Sequence, residues 1–157
     1  MKDLEIGDKV LVGNGKHEVV YAFGHRDPSK EADFLALYIT HEGTTGHPLE
    51  VSPRHLVYIK GKDHPIMADS LQVGDILQGS HDSIIDGGSI KKIKKITRCG
   101  VYAPLTPSGN IVVDGFMVST YVALQQKGSS EFPKFANGLV LPISQHHGIH
   151  IGTSPFR

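Results

Sequence analysis

Two seven-residue stretches, LEIGDKV at 4–10 and LQVGDIL at 71–77, repeat one another at an offset of 67 residues. Leu4 matches Leu71, Ile6 matches Val73, Gly7 and Asp8 match Gly74 and Asp75, and Val10 matches Leu77. Glycine reaches positive φ without steric cost and aspartate tolerates turns, so each stretch reads as a Gly-Asp bend leading into a strand. One such unit is a common way to begin a strand. Two copies, each followed by several strand-like segments, predict a duplicated β-module with pseudo-twofold symmetry. Its halves would bury one face against each other in a single all-β domain.

The rest of the chain agrees. Alternating and β-branched runs predict strands near 8–12, 17–24, 33–41, 48–52, 55–60, 64–68, 74–78, 100–105, 109–114 and 116–125. Eighteen glycines and nine prolines supply the punctuation, with turns expected at Gly13-Asn14-Gly15, Asp27-Pro28-Ser29, Thr44-Thr45-Gly46 and Pro107-Ser108-Gly109-Asn110. In SIKKIKKIT, Ile90, Ile93 and Ile96 recur every three residues, a spacing that suits a helical stripe. The β pattern around it nevertheless predicts an irregular strand. The chain divides into a domain at 1–125 and a Gly- and Pro-rich tail at 126–157 that reads as irregular.

Sixteen basic residues balance sixteen acidic ones, which removes any broad electrostatic case for nucleic acid or an anionic membrane surface. No apolar run reaches the roughly 18 residues a membrane span needs. The first ten residues have no apolar core and read as the inside of a folded domain rather than a signal sequence. Cys99 is the only cysteine, and it reads as a buried small hydrophobe.

Within LEVSPRHLVYIK, at 49–60, a strand pattern is interrupted by Ser52-Pro53-Arg54-His55. Proline has no N–H for a sheet ladder, so pairing should break or bulge there. The break places a hydroxyl and an imidazole three residues apart.

Three blocks resemble the Hint domain, the self-processing module shared by hedgehog proteins and inteins, and resemble its hedgehog type most. They are KDLEIGDKVL at 2–11, SPRHLVYI at 52–59 and YAPLTPSGNIVVDGFMVSTYVAL at 102–124. SQHHGIHIGTSPFR at 144–157 is a fainter match. The resemblance implies a horseshoe-like all-β disc built by duplication. It also implies self-cleavage, a cysteine-peptidase-like reaction on the chain's own upstream polypeptide. A cysteine at the start of the domain attacks the preceding carbonyl in an N-to-S acyl shift, and a second nucleophile releases the thioester.

The family's Thr-x-x-His motif falls on Ser52 and His55, the first hydrogen-bonding the scissile peptide and the second delivering a proton near neutral pH. Pro53 would force the bulge that aims both at one amide. His25 falls where hedgehog proteins carry the aspartate that activates a sterol hydroxyl, so water is a better-suited nucleophile here than sterol; Asp27 is a weaker candidate for that carboxylate. Thr120 falls on a family cysteine of the last strand, where a β-favouring core residue is the plainer reading. Met1 directly precedes the first block, leaving no room for the family's leading strand and cysteine. The chain is therefore expected to be a fragment, or a shortened relative, that does not start the reaction alone. A secretory or extracellular parent is implied by resemblance only, and no cofactor is expected.

The rivals are a β-domain serving binding or structure without chemistry, a metal site at His146, His147 and His150, and nucleic-acid binding through Lys91, Lys92, Lys94 and Lys95. The histidines lack a nearby Cys or carboxylate, and four lysines without interleaved aromatics usually make a solvated face.

Overall fold

The computed structural model describes residues 1–40, 47–80 and 87–122. Ten strands run through them: β1 Lys9–Leu11, β2 His17–Val19, β3 Ala22–Thr40, β4 Leu49–Val51, β5 His55–Val57, β6 Ile66–Met67, β7 Ile76–Gln78, β8 Gly87–Leu105, β9 Asn110–Val113 and β10 Phe116–Val122. A single 3-10 turn, Ala68–Ser70, separates β6 from β7. The strands form a β1-β2 ribbon and two four-stranded sheets, ordered β4-β3-β8-β7 and β6-β5-β10-β9. The all-β expectation holds among these residues.

The repeat is structural down to single hydrogen bonds. Gly7 and Gly74 both stand at φ 101°. The Asp8 carboxylate accepts the Glu5 N–H at 2.8 Å, and Asp75 accepts that of Gln72 at 2.8 Å. Gly7 N–H donates to the Val20 carbonyl at 2.9 Å and Gly74 N–H to that of Ile90 at 2.8 Å; Val20 and Ile90 return bonds to the Asp8 and Asp75 carbonyls. Lys9 faces Val19 in the first copy as Ile76 faces Ser89 in the second. Each bend thus closes on its own second strand. The two halves share one core, in which Leu35, Leu37 and Leu49 meet Leu77, Ile90 and Phe116.

The long partners β3 and β8 pair from Ala22–Leu105 to Thr40–Ser89, and their register shifts explain where the sequence pattern misleads. The strands expected at 17–24 and 33–41 are instead divided at Val20-Tyr21, and β3 runs on unbroken to Thr40. Asp27-Pro28-Ser29 does not end a strand. Asp27 pairs with Val101 and Glu31 with Cys99, so three residues of β3 face one of β8, and Pro28 lies in a bulge where it owes the ladder no donor. Aspartate makes that bulge: its Oδ1 accepts the Ser29 N–H at 3.0 Å, the Ser29 hydroxyl at 2.8 Å and the Lys30 N–H at 3.1 Å.

SIKKIKKIT lies within β8, a strand as expected. Lys92 pairs with Tyr38 and Ile90 with Ile39, leaving Lys91 as an inserted residue. That insertion puts Ile90 and Ile93 on one face although they are three apart, whereas Ile96, opposite Phe34, lies on the other. The three-residue recurrence is a bulge and a change of face. The Thr44-Thr45-Gly46 turn, residues 123–125 of the last expected strand and the 126–157 tail lie outside the described residues.

Candidate active site

β4 ends at Val51 and β5 begins at His55, in different sheets. The interruption is therefore not a bulge within one strand, as expected, but a β-turn that hands the chain from one sheet to the other. The His55 N–H donates to the Ser52 carbonyl at 2.9 Å, with Pro53 at the turn position its fixed φ favours. The Pro53 carbonyl is pinned from outside by the Asp69 N–H at 2.7 Å. Ser52 is half-buried at the turn's entrance, and its main chain is fixed relative to His55.

His55 sits deeper. Burial drives its pKa from 6.5 down to about 4, against the opposing effect of the Ser119 backbone. The expectation that it titrates near neutrality is thus corrected: the ring is neutral at pH 7. Its Nε2 is buried without a hydrogen-bond partner.

The strand beside it is distorted. Val118 pairs with Val57 and Val122 with His55, so four steps along β10 match two along β5. Ser119, Thr120 and Tyr121 lie in that slip. The Ser119 hydroxyl accepts the Tyr121 N–H at 3.0 Å and donates to the Gly109 carbonyl at 3.3 Å. The Thr120 N–H donates to the same carbonyl at 2.9 Å. Thr120 is buried, and its Oγ1 has no partner.

Ser52 and His55 thus share one turn, and Thr120 lies in the slip of β10, the strand that pairs with β5. His25 stands in the other sheet, on β3 opposite Ala103, and its Nε2 too is buried without a partner. Asp27 is not a free carboxylate: its bonds to Ser29 and Lys30 hold its pKa below the ordinary value, with a smaller contribution from His25. Cys99 is exposed rather than buried, because it lies on β8 beyond the Asp27 bulge, away from the core. Sequence reasoning missed Ser119. Its only signal is its place beside Thr120, since its role depends on a register slip between distant strands.

Lys91, Lys92, Lys94 and Lys95 are exposed. Tyr38, supplied by the neighbouring strand, lies under two of them, with the Lys92 and Lys94 ammonium groups 6.0 and 5.5 Å from its ring centre. His146, His147 and His150 lie outside the described residues. Among the described residues no three metal-ligating side chains gather, and no helix is long and apolar enough to cross a membrane.

A family model described as the Hint module matches residues 1–136. Warthog protein 6 of Caenorhabditis elegans is 28% identical over 136 residues, covering 81% of this chain and 22% of that protein. Protein hedgehog of Drosophila virilis is 27% identical over 136 residues, covering 81% of this chain and 27% of that one. The chain thus spans about a quarter of the length of either relative. Among solved structures, the gp41-1 intein superposes with a TM-score of 0.59 at 13% identity, covering 74% of this chain and 83% of the intein. A bacterial intein-like domain from Clostridium thermocellum gives a TM-score of 0.59 at 21% identity, covering 75% of this chain and 84% of that domain. The last two likenesses concern the fold alone.

Proposed function

This chain belongs to the Hint family, and on that premise we propose that it cleaves the peptide bond joining it to an upstream polypeptide, by an N-to-S acyl shift. The observation that carries the reading is the His55 imidazole: neutral, buried beside a strand bulge, with Nε2 unpaired. A buried unpaired nitrogen costs about 1–3 kcal/mol, a cost that a proton donor arriving beside it removes.

In the proposed reaction, His55 Nε2 takes the proton of an attacking cysteine thiol. The sulfur bonds to the preceding carbonyl carbon, whose C–N bond then breaks. An imidazolium with a pKa near 4 is a strong acid at pH 7, and it returns the proton to the departing amine. The Ser52 hydroxyl hydrogen-bonds the scissile peptide, and its turn with His55 keeps donor and base on the same amide. Water then adds to the thioester. The C–S bond breaks, the upstream segment leaves as a carboxylic acid, and the sulfur recovers a proton. His25 is assigned as base for that water, and Thr120 as a hydroxyl within the β10 bulge. The thiol belongs to a cysteine ahead of the LEIGDKV block; Cys99, exposed on β8, is not that group.

A β-domain without chemistry accounts for the Ser52–His55 turn. It gives no reason for unpaired buried polar atoms at His25, His55 and Thr120. The test is a fusion of a reporter, a leading strand and a cysteine ahead of Met1. Reporter release is expected, faster with added thiol, while residues 1–157 alone are inert. His55→Ala should slow release by about 10²–10⁴-fold, as loss of a general acid–base group does, and Ser52→Ala should slow thioester formation. Release that persists in His55→Ala removes the mechanism.

A further inference from the structure

Lys91, Lys92, Lys94 and Lys95 place four cations along about 13 Å of extended strand, in a chain whose formal net charge is zero. Their sequence alone reads as a solvated face, because it carries no aromatic. The fold supplies one from β3. Lys92 pairs with Tyr38, and Lys94 stands two residues further along the same face, opposite Ala36. Both ammonium groups lie within cation–π reach of the Tyr38 ring, at 6.0 and 5.5 Å from its centre. Two like charges thus converge on one ring, and the ring is what holds them.

The opposite charge on this face is already committed. Glu50 stands on β4, with β3 between it and β8, and Arg98 reaches across β3 to grip both its oxygens, Nε at 3.1 Å and Nη2 at 2.9 Å. Among the described residues none of the four lysines pairs with a carboxylate. The face therefore keeps positive charge that an external anion would neutralise.

The kind of anion follows from which cations are free. A planar carboxylate is matched by arginine's fork, and the fork on this face is taken. Lysine ammoniums are point charges with rotatable donors, which suit tetrahedral sulfate or phosphate esters. A nucleic-acid strand also needs an open aromatic face on which bases stack. Lys92 and Lys94 lie against the Tyr38 ring, so a base would have to displace them. A sulfated polysaccharide carries its anions along a line, has no aromatic rings to stack, and needs the cations alone.

We infer that the face of the β3–β8 ladder at Tyr38, Lys92 and Lys94 binds a sulfated polysaccharide. The surface belongs to the other sheet from His55, and the inference does not depend on cleavage.

Calorimetric titration of residues 1–157 with a size-defined heparin oligosaccharide tests it. Affinity is expected to fall steeply with salt, since each ammonium contact releases a counterion. Lys92→Gln with Lys94→Gln should weaken binding about tenfold or more and flatten the salt slope by roughly two. Tyr38→Phe keeps the ring and should bind as the wild type does, whereas Tyr38→Leu should bind about threefold more weakly. Lys9→Gln with Lys16→Gln removes the same charge from the β1-β2 ribbon and should leave binding unchanged. Equal losses in the two double variants would make binding a matter of net charge and overturn the inference. So would no binding of the oligosaccharide at low salt, or tighter binding of oligothymidylate or of polyglutamate, which would point to a nucleic acid or an acidic peptide instead.

Discussion

His55 on β5 pairs with Val122 on β10, across a two-residue slip that leaves Ser119 in the distorted stretch between Val118 and Val122. Burial pushes the pKa of the imidazole down to about 4, outweighing the opposing effect of the Ser119 backbone.

This makes stability fall with acid in a definite window. The unfolded ring binds a proton near pH 6.5 and the folded ring only near 4, so the unfolded state holds more protons in between. The stabilisation is complete above pH 6.5 and is lost as the pH falls towards 4, by about 3 kcal/mol at most. Urea midpoints measured from pH 7.5 to 4.5 should fall more steeply in the wild-type chain than in His55→Gln. Parallel slopes would show that His55 is not the group responsible.

Thr120 offers the opposite sign. Its hydroxyl is buried without a partner, while its N–H is satisfied by Gly109. Thr120→Val keeps the shape and the backbone bond and removes only the unpaired oxygen, so it should stabilise the fold by about 1 kcal/mol. Thermal or urea unfolding measures it. Slower reporter release in the same, more stable variant would assign the hydroxyl to the reaction rather than to the fold.

The repeated bends make an internally controlled test. Gly7 and Gly74 share φ 101°, and a Cβ at either meets nothing within 4 Å. Gly7→Ala and Gly74→Ala therefore carry backbone strain with no clash. Each should cost about 1–2 kcal/mol, and the two costs should agree to within about 0.5 kcal/mol, with the double variant near their sum. Unequal losses would mean that the duplicated bends have come to bear different loads.

Much of this was legible in the chain. The Gly-Asp repeat is local chemistry, since the glycine conformation and the aspartate bond lie within one bend, and it carried through to equivalent hydrogen bonds. The Ser52–His55 turn was legible for the same reason: Pro53 cannot pair, and the break fell where it stands. What misled were features decided by partners far along the chain. The Asp27-Pro28-Ser29 signal is a true local turn, but β8 continues opposite it, so it became a bulge inside a strand. Cys99 looked like a core residue until the long β3–β8 pair carried it away from the core. His55's neutrality and Ser119's role both depend on burial and register across β10, which no local pattern reports.

Gly88 shows how tightly the two halves close on one another. It pairs with Leu77 at the start of β8, in the second copy of the repeat, yet the space above its Cα is taken by side chains from two other strands. A Cβ there would collide with the Ile39 side chain of β3 and lie 2.9 Å from two ring carbons of Phe116 on β10. Phe116 is itself buried, 4% exposed, so its ring has little room to retreat. The backbone is not the obstacle, since Gly88 does not adopt a left-handed, positive-φ conformation. Gly88→Ala should therefore cost about 1–3 kcal/mol through overpacking alone. A smaller partner should relieve it: Gly88→Ala with Phe116→Leu should be less destabilised than the sum of the two single variants, a coupling that a double-mutant cycle of urea unfolding measures. Strict additivity would mean that the methyl is accommodated elsewhere and that Phe116 does not close the core over β8.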